Sequence, residues 1–196
     1  MDFMEIFTLV TGVIYIVLEI RQKNFMWVVG IATSIAAMWV FFRQGLYASF
    51  GLNTYYLITS FIGLWHWRRD RDRMGKSLRS DDRDDIIHLN RLSPKTLILS
   101  GIIAISGTVA LAELMLLFEN PMSYMDSAVA VLSAIATWWL VKSYLAQWWI
   151  WIAADAMSTI LCATQGLWWM GALYCLYSLS AIYGLYHWKR HGKYVS

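Results

Sequence analysis

Residues 146–188 read AQWWIWIAADAMSTILCATQGLWWMGALYCLYSLSAIYGLYHW, and this stretch decides the fold. It holds two apolar runs, from Ala146 to Thr164 and from Leu167 to Trp188, parted by a Gln165-Gly166 turn. The hydrocarbon core of a bilayer is roughly 30 Å thick, so a spanning helix needs about 20 mostly apolar residues. Both runs meet that length. Shifting the chain by 148 − 27 = 121 positions lays the stretch over an earlier one. Trp148 falls on Trp27, Gln165-Gly166-Leu167 on Gln44-Gly45-Leu46, Tyr177 on Tyr56, and Gly184 on Gly63. The closing Leu185-x-His187-Trp188 falls on Leu64-x-His66-Trp67, and Lys142 on Arg21. Shared apolar composition scatters matches. It does not reproduce one turn and one helix end in a single register.

Working outward, seven apolar spans can be marked. They run from Met4 to Ile20, Phe25 to Phe42, Tyr47 to Trp67, Thr96 to Phe118, Met125 to Val141, and then through the two runs above. Composition agrees: 59% of residues are hydrophobic and 15% charged, against about 45–50% and about 25% in soluble domains. Backbone groups in hydrocarbon must be satisfied within the protein, so spans of this length are helices. The expectation is an all-α integral membrane protein with seven transmembrane helices in a 3+1+3 arrangement. Residues 1–67 form the first three-helix repeat, 68–95 a charged cytoplasmic loop, and 96–118 a linker helix. Residues 119–188 form the second repeat and 189–196 a basic cytoplasmic tail. A single linking span makes the repeats parallel, as in SWEET-type carriers, where substrate binds near the midplane between the repeats.

Lys and Arg set the orientation. Arg21, Lys23, the 68–95 loop, Lys142, Lys189, Arg190 and Lys193 fall on one side, and only Arg43 on the other. The positive-inside rule places the N-terminus outside and the C-terminus in the cytoplasm. The first apolar run lacks a basic leader and a small-residue cleavage site, so no cleaved signal is expected.

The repeat register places Ser34, Asp155, Tyr56 and Tyr177 at similar depth near mid-span, with Asn53 one turn from Tyr56. Asp155 is the most informative. A carboxylate at mid-span costs about 2.5–3.5 kcal/mol on insertion scales, and such residues mark pathways. Trp148, Trp151 and Asp155 form one helical stripe, and indole faces attract cations. An acid among indoles fits a flat cationic ligand. The alternative is that Asp155 bonds a neighbouring Tyr or Ser to fix packing, with Trp148 in the aromatic belt expected of a chain with 12 Trp and 11 Tyr. Glu19 is expected to snorkel or pair with Arg21, Glu113 to be structural, and His66 and His187 to anchor helix ends at the interface. Cys162 and Cys175 lack metal-ligand spacing and are expected to pack.

Several classes fall away. No nucleophile stands with a base, no metal-ligand cluster is visible, and no phosphate-binding glycine loop is present. The chain is therefore expected to be no enzyme and to need no cofactor or metal. Acidic residues nearly cancel the basic ones in the long loop, which argues against nucleic acid.

The sequence resembles the PnuC-type vitamin transporters over nearly its whole length except the charged loop. Trp148-x-x-Trp151-x-x-x-Asp155, Gln165-Gly166-Leu167 with Tyr177, and Gly45-Leu46-Tyr47-Ala48 running into Asn53, Tyr56 and Gly63 carry the likeness. The resemblance implies facilitated diffusion of a phosphate-free B-vitamin precursor across the bacterial inner membrane. It further implies a SWEET-like fold, a homotrimer among membrane lipids, and a cytoplasmic vitamin kinase that traps the substrate. Some members have Asn where this chain has Asp155. Nicotinamide riboside is the expected substrate and thiamine the alternative, since both carry a cationic aromatic ring; riboflavin is neutral. The expected substrate-binding residues are Trp148, Trp151, Asp155, Asn53, Tyr56, Tyr177 and Ser34. Two further readings stay open: a non-transporting membrane scaffold or receptor, and a sugar carrier, which needs no carboxylate.

Overall fold

The computed structural model describes residues 13–43, 47–75, 87–117 and 124–195. The Gln44-Gly45-Leu46 turn, the start of the first span at Met4 and residues 76–86 of the charged loop lie outside these. Seven helices are described: α1 (13–20), α2 (Phe25–Arg43), α3 (Tyr47–Gly75), α4 (Pro94–Leu117), α5 (Tyr124–Val141), α6 (Gln147–Thr164) and α7 (Trp168–His191). Two short strands, β1 (Ile87–Leu89) and β2 (Gly192–Tyr194), pair in parallel with Ile87 opposite Gly192.

Local chemistry explains the helix ends. Pro94 opens α4, where its missing N–H is no loss, and the Ser93 hydroxyl accepts a bond from Lys95 N at 3.2 Å. After α6 the chain reverses through Gly166, whose φ of 73° suits a residue without Cβ. There Leu167 N donates to Cys162 O at 2.8 Å and Gly166 N to Ala163 O at 3.2 Å, the Schellman pattern of a helix C-terminus.

The same pattern closes α1 and α5 without glycine. Gln22 (φ 48°) and Ser143 (φ 54°) hold the left-handed position. Lys23 N bonds Leu18 O and Gln22 N bonds Glu19 O; Tyr144 N bonds Trp139 O and Ser143 N bonds Leu140 O. Each bond in one turn has its counterpart in the other at the spacing that separates Gln22 from Ser143.

Two compact units divide the chain: one holds 1–90, 140–143 and 190–196, the other 91–139 and 144–189. In the first unit α2 packs along α3, with Trp27 fully buried over Gly63 and edge-on to Trp67 at 5.0 Å. In the second, Trp148 is buried over Gly184 and edge-on to Trp188 at 5.4 Å. A Cβ built on either glycine would fall 2.5 Å from the indole it faces. These glycines let a tryptophan lie flat on the neighbouring helix backbone.

α4 meets the length and hydropathy of a membrane span over Pro94–Leu116, and α5 over Tyr124–Val141. Along α4, Leu97, Ile98, Leu99, Ile102, Ile103 and Ile105 are all exposed. A helix that turns such residues outward is suited to lipid, not water. Exposed Trp39 stands one turn from the end of α2 and exposed Trp65 near the end of the apolar run of α3, with the guanidinium of Arg43 5.8 Å from the first ring and that of Arg69 5.3 Å from the second. This is the placement of an aromatic belt with adjacent cations.

Three expectations need correction. α3 does not stop at Trp67: it continues to Gly75 through RRDRDRM. Hydropathy ends there but helix propensity does not, and His66 Nδ1 lies 3.1 Å from Asp70 Oδ2 one turn on. Second, the 68–95 loop and the 189–196 tail are not plain coil, because β1 and β2 join them. Third, Cys162 is buried as expected but Cys175 is exposed.

Candidate functional site

Trp148, Trp151 and Asp155 share α6, whose first turn also carries Gln147. Positions three and four apart lie on one face of a helix. Along that face Gln147 is fully buried, Trp151 is half-buried, and Asp155 and Ser158 are buried. The Ser158 hydroxyl is spent on Ala154 O at 2.9 Å and that of Thr159 on Asp155 O at 2.8 Å, both within the helix. Among the described residues no side chain hydrogen-bonds or ion-pairs with the Asp155 carboxylate. A buried carboxylate without a protein partner is costly, and it draws a cation. The indole N–H of Trp151 is likewise buried with no acceptor.

α7 faces this stripe with two tyrosines. Tyr177 and Tyr174 both lie within electrostatic reach of Asp155, and their rings meet edge-on at 6.1 Å. Tyr177 was expected from sequence and Tyr174 was not, although it stands one turn before Tyr177 on the same face. Trp148 differs from Trp151: its ring is only 2% exposed and committed to Gly184 and Trp188.

The remaining expected residues belong to the first unit. Ser34 is buried on α2, and Asn53 and Tyr56 are half-buried one turn apart on α3. The Tyr56 ring lies 5.7 Å from that of Tyr55. No group of three or more His, Cys, Asp or Glu side chains among the described residues is placed to hold a metal. Glu113 accepts a hydrogen bond from the Tyr124 hydroxyl, which ties the end of α4 to the start of α5.

The chain has counterparts among known proteins. Residues 2–190 match the family model described as "Nicotinamide mononucleotide transporter". The chain belongs to this family. PnuC-type relatives carry the likeness in sequence and in fold. The "Nicotinamide riboside transporter PnuC" of Haemophilus influenzae is 20% identical over 185 residues, covering 92% of this chain and 76% of that protein. The "Crystal structure of the Vitamin B3 transporter PnuC" superposes with a TM-score of 0.67 at 21% identity, over 93% of this chain and 80% of that one. The family is one of transporters.

Proposed function

We propose that this protein carries nicotinamide riboside across the bacterial inner membrane by facilitated diffusion. The observation that carries the reading is the buried Asp155 carboxylate one turn from Trp151, with no cation among the described residues paired with it. A pyridinium ring answers both groups at once: its charge is offset by the acid and its flat face by the indole. In this reading Tyr177 on α7 hydrogen-bonds the ribose hydroxyls or the carboxamide, and Ser34, Asn53 and Tyr56 are assigned to the substrate by the register of the sequence repeat alone. Trp148 serves the site by holding α6 against α7.

The family's description names the mononucleotide, whereas the curated relative is named for the riboside. Charge favours the riboside here. No Lys or Arg interrupts any apolar span, and phosphate recognition ordinarily recruits Arg, Lys or a ring of backbone N–H groups. An unpaired acid would repel a phosphate dianion. Thiamine, also cationic, is the rival substrate.

The mechanism we infer is alternating access within two parallel three-helix repeats joined by α4, with the N-terminus outside. Recurrence of the α1 and α5 turns and of the paired Trp–Gly–Trp packing supports the repeats. The assembly is a homotrimer, and a cytoplasmic kinase traps the vitamin by adding the phosphate that the site rejects. Uptake into proteoliposomes tests the substrate. Labelled nicotinamide riboside should enter and be competed by unlabelled riboside, and not by the mononucleotide. Competition by the mononucleotide at equal strength would defeat the charge argument, and competition by thiamine alone would transfer the assignment to thiamine.

A further inference from the structure

One polar residue on the α6 stripe has no role in the site as described. Gln147 is fully buried, and both its amide oxygen and its amide nitrogen lack hydrogen-bond partners among the described residues. A buried amide left wholly unpaired is a cost that a fold removes unless the group serves something else. The other half of the chain shows how easily it is removed. Met26 stands 121 residues earlier, in the same place relative to its own turn: Met26 N bonds Lys23 O at 3.0 Å as Gln147 N bonds Tyr144 O at 3.1 Å. Met26 is also fully buried. The position accepts an unbranched apolar side chain of nearly the same length, and only the copy that bears Trp151 and Asp155 places an amide there.

Gln147, Trp151 and Asp155 follow one another at four-residue steps on one face of α6, and the Trp151 N–H is also unpaired. Helical side chains lean toward the N-terminal end of their helix, which under the proposed orientation is the cytoplasmic end. Gln147 therefore stands one turn beyond Trp151 in the direction of release. An amide offers two donors and an acceptor, matching hydroxyls and a carboxamide alike. We propose that Gln147 is a further substrate-contacting residue, whose amide takes up the polar groups of the vitamin as it passes from Asp155 and Trp151 toward the cytoplasm. The inference rests on the transport reading above and adds a second station to the path.

The test uses the full-length protein, purified and reconstituted, as wild type, Gln147→Met and Gln147→Asn. Nicotinamide riboside binding is measured by calorimetry, uptake by radiolabel, and folding by thermal melting. Gln147→Met should melt no lower than wild type and bind the riboside with unchanged affinity. Its uptake should fall roughly tenfold, and Gln147→Asn, which keeps the amide, should recover most of the rate. Uptake by Gln147→Met at the wild-type rate would overturn the inference alone. So would a parallel loss of melting temperature, binding and uptake, which is what a purely structural amide gives. Failure of the wild-type chain to bind the riboside would overturn the transport reading and this inference with it.

Discussion

The Gln22 amide donates to the Ser143 hydroxyl at 3.3 Å, so two residues 121 positions apart meet while holding the same left-handed place in the same kind of turn. Gln22 does more than bridge the turns. Its Oε1 accepts from His88 N at 2.8 Å and its Nε2 donates to His88 O at 2.9 Å, so the side chain bonds β1 as a strand neighbour would. Asn90 continues the network, with Asp70 Oδ2 at 2.8 Å and Lys142 O at 3.0 Å. Trp67 Nε1 donates to Leu140 O at 3.1 Å, and Arg71 caps Gln22 O at 3.0 Å. One side chain thus fastens the α1–α2 turn, the segment after α3 and the α5–α6 turn.

Gln22→Gly isolates that network, because glycine accepts the positive φ without strain. It strands the buried N–H and C=O of His88 at a cost of about 1–3 kcal/mol for each group left unpaired. The melting temperature should fall by several degrees. Ser143→Ala removes only the long 3.3 Å bond and should fall by much less. Equal losses would show that the strand-like bonding of Gln22 to His88 carries no stability.

Gly184→Ala drives a Cβ against the Trp148 ring at 2.5 Å. Overpacking of this kind costs about 1–3 kcal/mol. Because Trp148→Phe relieves the clash, the double variant should be less destabilised than the sum of the two single ones. Additivity, read from thermal melts, would mean the two residues do not touch.

Acid should loosen the end of the molecule where β1 lies. Burial holds the His88 imidazole down at about 4 against an ordinary 6.5, helped by Arg71 and opposed by Asp70. Asp70, whose burial alone would raise it, is held below its usual range by hydrogen bonds from His66 and Asn90. For both groups the folded protein resists protonation more than the unfolded chain. The stability that His88 contributes is therefore complete above about pH 6.5 and drains away as pH falls toward 4, whereas that of Asp70 is lost only below the ordinary carboxylate value of 3.8. His88→Phe keeps an edge-on ring against Trp67, 5.6 Å away in the parent. A melting temperature that drops between pH 6.5 and 4 in wild type should be flatter in this variant. Parallel curves would exclude His88 as a source.

The fold was readable where chemistry is local and repeated. Seven hydropathic runs became seven helices, and the matched turn residues share their hydrogen bonds because a helix C-terminus has few ways to satisfy its carbonyls. The extension of α3 past Trp67 was missed because hydropathy reports the surroundings of a helix and not its backbone. The β1–β2 pair was illegible: IHL and GKY are too short for periodicity, and each is a strand only because the other is there. The α6 stripe could be read because one helix sets its spacing. Tyr174 could have been found from its distance to Tyr177. The unequal fates of Trp148 and Trp151 could not, since one glycine on another helix decides which indole is committed to packing.

Asp155→Asn keeps the shape of the side chain and removes its charge, and with it a charge-assisted contact worth about 1.5–3 kcal/mol. Affinity for nicotinamide riboside should fall roughly tenfold to a hundredfold. Melting temperature should hold or rise, because an unpaired buried charge has been removed. A variant that binds as wild type does would show that Asp155 serves packing.

The most direct measurement compares nicotinamide riboside, whose ring is a cation, with its dihydro form, whose ring is neutral, by calorimetry on the purified protein and on Asp155→Asn. The wild type should bind one riboside per chain and prefer the cation by about tenfold or more, a difference of about 1.4 kcal/mol. Asp155→Asn should lose that preference. Equal binding of the two forms by the wild type, or no binding of either, would contradict a cation site built on Asp155.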